Sequence, residues 1–223
     1  NHAFVNPRQG RARTGEAGPR GITAFLVPGD ADGLSFGANE RKMGWNAQPT
    51  RQVVLEGVRV GPDQVLGGEG GGFRVAMSAL NGGRLNIAAC SLGGDQWAVD
   101  RAVEHLRTRE AFGSPLLERQ GLQFRLADAQ TQLEAARCLL HRAADAVDAE
   151  DPDAVTLCAM AKKFVTDAGF EAANTALQMH GGYGYLSEYG VEKVVRDLRV
   201  HQILEGTNEI MQLIIARSFE GVA

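Results

Sequence analysis

Between Leu122 and Val147, apolar residues recur at alternating spacings of four and three: Leu122, Leu126, Ala129, Leu133, Ala136, Leu140, Ala143 and Val147. That interval places all of them along one face of an α-helix of about seven turns, and it does not suit a strand, whose side chains alternate. Alanines along the seam let a neighbouring helix approach closely, so the segment needs helical partners. A second stripe follows the break at Asp151-Pro152-Asp153, carrying Leu157, Ala161, Phe164, Ala168, Ala172, Thr175 and Met179. Two long helices joined by so short a turn run antiparallel, which predicts a helical bundle.

Around that pair the pattern is less regular. Phe73 to about Arg109 is helical in character, with an interruption expected at Asn81-Gly82-Gly83-Arg84 and a loosening at Gly93-Gly94. Each interior glycine disfavours a helix by about 1 kcal/mol relative to alanine. Gly113-Ser114-Pro115 closes the segment. The glycine-rich Gly181–Tyr185 stretch is a turn that ends the second long helix. Val191 to Val200 predicts a short charged helix, and Thr207 caps a final one with Ile210, Leu213, Ile214 and Arg217 on one side.

Upstream, Gly67 to Gly72 reads as a linker rather than a phosphate loop: no Lys-Ser/Thr follows it, and it lies in no βαβ unit. Residues 21–28 and 51–60 are strand candidates, and residues 1–20 read as a loop. Two or three strands do not close a stable sheet alone, so this part reads as the end of a larger β domain. The expected fold is mostly α: residues 1–68 the remnant of a β domain, residues 69–223 a helical-bundle domain.

A net charge of -4 offers no footprint for nucleic acid and no basic patch for anionic lipid. No apolar run approaches the ~20 residues of a membrane span, and no targeting segment is visible, which predicts a cytoplasmic protein. Cys90, Cys138 and Cys158 lie far apart in apolar segments without metal-ligand spacing. They are expected to be buried thiols in a reducing compartment, and no metal is expected.

The chemistry concentrates near the C-terminus. Glu205 stands between Leu204 and Gly206, just ahead of the last helix. A carboxylate set among apolar groups loses solvation of its charged form and becomes a stronger proton acceptor; a solvated loop acid is the plain alternative. Seven segments in order then resemble the acyl-CoA dehydrogenase family, flavin enzymes that oxidise acyl-CoA thioesters. They are Lys42-Met43-Gly44-Trp45, Asn81-x-x-Arg84, Arg109-x-x-Phe112-Gly113-x-Pro115, Gln120-x-x-Gln123-Phe124-x-Leu126-Ala127-Asp128, Gln178-x-x-Gly181-Gly182-x-Gly184-Tyr185, Arg196-Asp197 and Glu205-Gly206-Thr207. Leu80–Ala88 and Leu177–Leu186 look most like the isobutyryl-CoA, short branched-chain branch.

The resemblance implies an N-terminal helical domain, a middle β domain and a C-terminal helical bundle, assembled as a homotetramer or dimer of dimers. This chain matches the end of the β domain and the bundle. It implies α,β-dehydrogenation of a short acyl-CoA, straight or branched, with FAD as cofactor and an electron-transfer flavoprotein as electron acceptor. Glu205 matches the catalytic base. Arg109, Gln120, Gln178, Met179, His180, Gly181, Gly182, Thr207, Asn208 and Glu209 match FAD-contacting positions. Asn81, Gly82, Gly83, Arg84, Gly206 and Arg217 match substrate-contacting ones. For Arg109 a solvated cation at a helix end is the alternative, for Arg217 a tail charge, and for His180 a packed histidine. Gln212 stands where the family usually has Arg. Two other readings stay open: a non-catalytic helical oligomerisation module, and an acyl-CoA oxidase.

Overall fold

The computed structural model of the chain describes residues 8–219. They form two compact units: residues up to Arg41 with Ala47–Leu80, and Lys42–Asn46 with the chain from Asn81 onward.

In the first unit, β2 (Ile22–Val27) forms where the sequence predicts it. β1 (Arg8–Arg13) pairs with it antiparallel along its whole length, from Arg8 opposite Val27 to Arg13 opposite Ile22. This overturns the loop reading for those residues; the part before Arg8 lies outside the described residues. An Arg- and Gly-rich segment shows no alternation, yet the edge of β2 satisfies its backbone groups, and tertiary pairing outweighs propensity. The short β5 (Val65–Leu66) takes the other edge of β2, giving the order β1-β2-β5. β3 (Leu34–Phe36) and β4 (Val53–Leu55) make a separate two-stranded ribbon.

The helices are α1 (Gly72–Thr108), α2 (Gln120–Asp148), α3 (Ala154–His180), α4 (Val191–Arg199) and α5 (Asn208–Arg217). α1 runs unbroken for 37 residues, so the interruption expected at Asn81–Arg84 does not occur. From Ala88 through Leu106 its inner face is anchored in the bundle core, and Gly94 lies against Leu198 and Val194 of α4. Packing compensates the weak propensity of the glycines. After α1, β6 (Glu110–Ala111) and β7 (Ser114–Pro115) form a small hairpin with Phe112 and Gly113 at its turn. Arg119 Nη2 holds it by donating to the carbonyls of Ala111 at 3.0 Å and Phe112 at 2.8 Å.

α3 is the hub, packed against α2, α4 and α5. Because it is covered on more than one side, its buried face is wider than the predicted stripe. Ala161, Ala172 and Met179 are buried as expected, but so are Cys158, Lys162, Val165, Thr166, Gly169, Ala173 and Ala176. α5 turns Asn208 and Met211 inward, whereas Ile210 and Leu213 remain 45% and 53% exposed. The cysteine reading is also corrected: Cys158 is buried, but Cys90 and Cys138 lie on outward helix faces. Among the described residues no helix is long and apolar enough to cross a membrane.

One core residue makes the bundle sensitive to pH. Asp95 of α1 is fully buried, its carboxyl lying against the bare Cα of Gly169. Burial pushes it up to about 8, with backbone amides and Arg137 only partly opposing. Between the ordinary carboxyl range and that value, the folded chain holds a proton that the unfolded chain has released, so stability falls as pH rises from about 4 to about 8. Asp95→Asn is expected to unfold at higher temperature than the wild type. The gap should widen from pH 5 to pH 8, reaching a few kcal/mol. A gap equal at both pH values in thermal melts would refute this account.

Candidate active site

Glu205 lies in the connection between a 3-10 turn (Val200–Gln202) and α5. Its backbone is left-handed, with φ +56, and Gly206 follows with φ +89. Glycine adopts such a conformation freely, but a glutamate is strained there and must be held by its surroundings. The carboxylate is half-buried and rests on the backbone of Gly83 in α1: a Cβ at Gly83 would fall 2.5 Å from Glu205 Oε2 and 2.8 Å from its Cδ.

Next along α1, Arg84 is only 6% exposed, and its Nη1 donates to Asn81 Oδ1 at 3.1 Å. Burial holds the guanidinium below its ordinary value, while the charges of Cys158 and Glu205 act in the opposite direction. Its Nε has no protein partner among the described residues. Asn81, Gly83, Arg84, Glu205 and Gly206, from segments 120 residues apart, are thus brought together: a carboxylate on a glycine floor beside a buried cation. Gly82, on the same turn, is exposed, with nothing close to where a side chain would project.

Behind this site lies a network that sequence reasoning missed. Lys162 of α3, fully buried, donates from Nζ to the Gly206 carbonyl and to Asn208 Oδ1, both at 2.8 Å. Asn208 Nδ2 donates to Asp167 Oδ1 at 2.7 Å and to Thr166 Oγ1 at 3.0 Å. Gln202 Nε2 reaches the same Asp167 oxygen at 2.7 Å, and Lys163 pairs with the other at 2.9 Å. Burial acts to raise the Asp167 carboxyl, but the hydrogen bonds from Lys163, Gln202 and Asn208 outweigh it and hold it low. Burial pushes Lys162 down to about 8 against the nearby acids. The signal was present: Lys162, Thr166, Gly169, Ala173, Ala176 and His180 also follow four-three spacing, a small-and-polar stripe interleaved with the apolar one.

Thr207 takes the N-cap position of α5 in an extended conformation, but its side chain makes no cap hydrogen bond. It pairs instead with exposed Glu209, whose carboxyl it draws below the ordinary range. Thr207, Asn208 and Glu209 line a cavity of about 200 Å³ with Arg199, Gln202 and Ile203.

A second group gathers where α1 ends beside the end of α3. The Arg109 guanidinium lies 5.5 Å from the Tyr183 ring centre. Gly181 has φ +58, and a side chain at Gly181 or Gly182 would meet nothing within 4 Å, so this backbone is open. His180 is buried, its Nδ1 at 2.7 Å from the Ala176 carbonyl and its ring stacked on His105 at 4.6 Å. Met179 belongs to the core. Gln178, at the last turn of α3, and Gln120, the first residue of α2, are exposed; Arg217 and Gln212 are exposed on α5. The resemblance also assigned no role to Arg119, whose Nη2 holds the hairpin bearing Phe112; Phe112 is 92% exposed.

Comparison with known proteins fits this arrangement. Residues 70–219 match the family model for the acyl-CoA dehydrogenase C-terminal domain. The mitochondrial isobutyryl-CoA dehydrogenase of Bos taurus is 52% identical over 206 residues, covering 92% of this chain and 50% of that protein. The solved butyryl-CoA dehydrogenase of Megasphaera elsdenii superposes with a TM-score of 0.94 at 37% identity, over 99% of this chain and 57% of that one. A chain in the structure described as the electron transferring flavoprotein of Acidaminococcus fermentans gives a TM-score of 0.94 at 37% identity, over 98% and 58%. The chain spans about half the length of the curated relatives it matches.

Proposed function

The chain belongs to the acyl-CoA dehydrogenase family, and we propose that the protein carrying it oxidises a short acyl-CoA thioester, straight or branched, with Glu205 as base and FAD as cofactor. The observation that carries the reading is the Glu205 carboxylate, fixed on the bare backbone of Gly83 beside the buried Arg84. In the reaction the α C–H bond breaks with its proton passing to a Glu205 carboxylate oxygen, the β-hydrogen leaves with its electron pair, and the α,β double bond forms. FAD, when bound, supplies the acceptor for that hydride.

An α-proton beside a thioester is too weakly acidic for a free carboxylate, so donors must meet the oxygen on which negative charge develops. The Glu205 backbone N–H is the group of this chain assigned to that task. Asn81 to Arg84, Gly206 and Arg217 are assigned to the substrate. The bare Gly83 backbone beside the Glu205 carboxylate and the open Gly82 next to it suit close approach of a flat thioester, and the similarity to isobutyryl-CoA dehydrogenase supports a short branched acyl group.

The residues present fit the cofactor. An exposed guanidinium beside an open Gly-Gly backbone suits a pyrophosphate, and the adjoining aromatic faces suit a flat ring system. Arg109, Gln120, Gln178, Gly181 and Gly182 are assigned there. Met179 and His180 join through the main chain, since their side chains are buried. Thr207, Asn208 and Glu209 are assigned to the cofactor along the α5 cavity. Exposed Phe112, Phe124 and Tyr185 suit burial against other copies, supporting a homotetramer. The likeness to a chain from an electron transferring flavoprotein structure supports such a protein as electron acceptor.

Anaerobic addition of isobutyryl-CoA to the purified natural protein is expected to bleach its flavin absorbance. A colourless protein, or a yellow one bleached by no short acyl-CoA, would sink the reading. Peroxide formation in air would identify an oxidase instead.

A further inference from the structure

Lys162 has no part in the proposed chemistry, yet it is fully buried directly behind Glu205. Burying an ammonium is unfavourable unless its hydrogens find strong acceptors. Here the recorded acceptors are neutral oxygens, the Gly206 carbonyl and Asn208 Oδ1, each at 2.8 Å. The charged groups around it act through space: Asp167 on its own helix, Glu209 on α5 and Glu205 in the loop attract it, while Arg84 on α1 opposes it. His201, buried in the 3-10 turn and pushed down to about 4, faces it as a neutral ring. A lysine held this way is not there as half of an ion pair. Both of its recorded hydrogen bonds grip the residues that follow Glu205.

We propose that Lys162 is a positioning residue for Glu205, clamping the Gly206 peptide and Asn208 so that the carboxylate stays on Gly83. This rests on Glu205 being the base. The Gly206 carbonyl meets Lys162 with Glu205 and Gly206 both at positive φ, a pair of conformations the chain does not favour unaided. With the clamp removed, the peptide is free to turn and Glu205 relaxes to negative φ, which carries its carboxylate off the Gly83 floor. The remaining ties, Asn208 to Thr166 and Asp167, hold the start of α5 but leave the peptide between Glu205 and Thr207 free.

The test uses Lys162→Met in the natural protein. An apolar side chain of similar length fills the space and removes a buried charge, a change that folded cores commonly accept. The expected result is a fall in kcat of about 10- to 100-fold, the size that follows from losing hydrogen bonds to a charged donor. The KM for the acyl-CoA changes less than kcat: the clamp also holds Gly206, itself assigned to the substrate, but the Asn81–Arg84 segment is untouched. In flavin-free protein, the amides of residues 206–209 should exchange with deuterium faster, while those of α2 do not change. A kcat within about twofold of wild type, or a loss matched by loss of bound flavin and by faster exchange throughout the bundle, overturns the proposal. Should Lys162→Met fail to fold, Lys162→Gln, which keeps an amide donor, is expected to lose less kcat in the same pattern; wild-type kcat there overturns it equally. Glu205→Gln measured alongside separates the two claims. Turnover retained by Glu205→Gln removes the base on which the clamp depends, whereas turnover retained only by the Lys162 variants removes the clamp and leaves the base standing.

Discussion

Glu205→Gln is expected to lower turnover of acyl-CoA by about four orders of magnitude while the protein keeps its flavin. The amide matches the carboxylate in shape and leaves Gly206, Lys162 and Asn208 undisturbed, so the loop retains its left-handed turn. What it lacks is a basic oxygen, and among the described residues the neighbouring acids are poor substitutes: Glu209 is exposed on α5 and Asp167 is engaged by Lys163, Gln202 and Asn208. Substrate should still bind, because the groups assigned to it are intact. The diagnostic observation is therefore a flavin spectrum that shifts on adding acyl-CoA under nitrogen but does not bleach. Glu205→Asp provides a graded version: it keeps the base but withdraws it by one methylene, and the reaction requires the oxygen to stand in line with the α-hydrogen. Turnover near the wild-type level in Glu205→Gln would exclude it as the base.

The two long helices were legible because their period is a property of the chain itself. Leu133, Ala136 and Ala143 face inward on α2 as their spacing requires. What could not be read is everything that depends on a distant partner. β1 carries no alternation and exists because β2 offers an edge. The glycines of α1 argue for a break if considered locally, and become intelligible only with Glu205 and Leu198 against them. Lys162 is buried only because α2, α4 and α5 all pack on α3, which its place in the sequence does not reveal. The residues proposed for the active site were picked out for a different reason: their motifs resemble a family, and the fold brings Gly83 and Arg84 to Glu205. Met179 and His180 carried a cofactor assignment, and their side chains lie in the interior, which a motif match by residue name does not reveal.

Gly83→Ala is expected to separate stability from activity. Alanine in a helix interior is favoured over glycine by about 1 kcal/mol, so α1 itself gains. The added methyl, however, would stand 2.5 Å from Glu205 Oε2 and 2.8 Å from Cδ, closer than non-bonded atoms approach. The helix backbone is anchored in the bundle core just beyond Gly83, from Leu85 and Ala88 onward, so the carboxylate yields instead. Relief of that contact displaces it by about 1 Å, and misplacement on that scale costs about 100-fold in rate. The melting temperature should hold or rise while kcat falls by about that factor. Gly93→Ala supplies the comparison. It lies on the same helix, outside the site, and its methyl would meet nothing within 4 Å. It should gain the stability and keep the activity. Equal activities in the two variants would mean that the Gly83 surface does not set the position of the base, and the tight floor beneath Glu205 would then be packing without a role in the reaction.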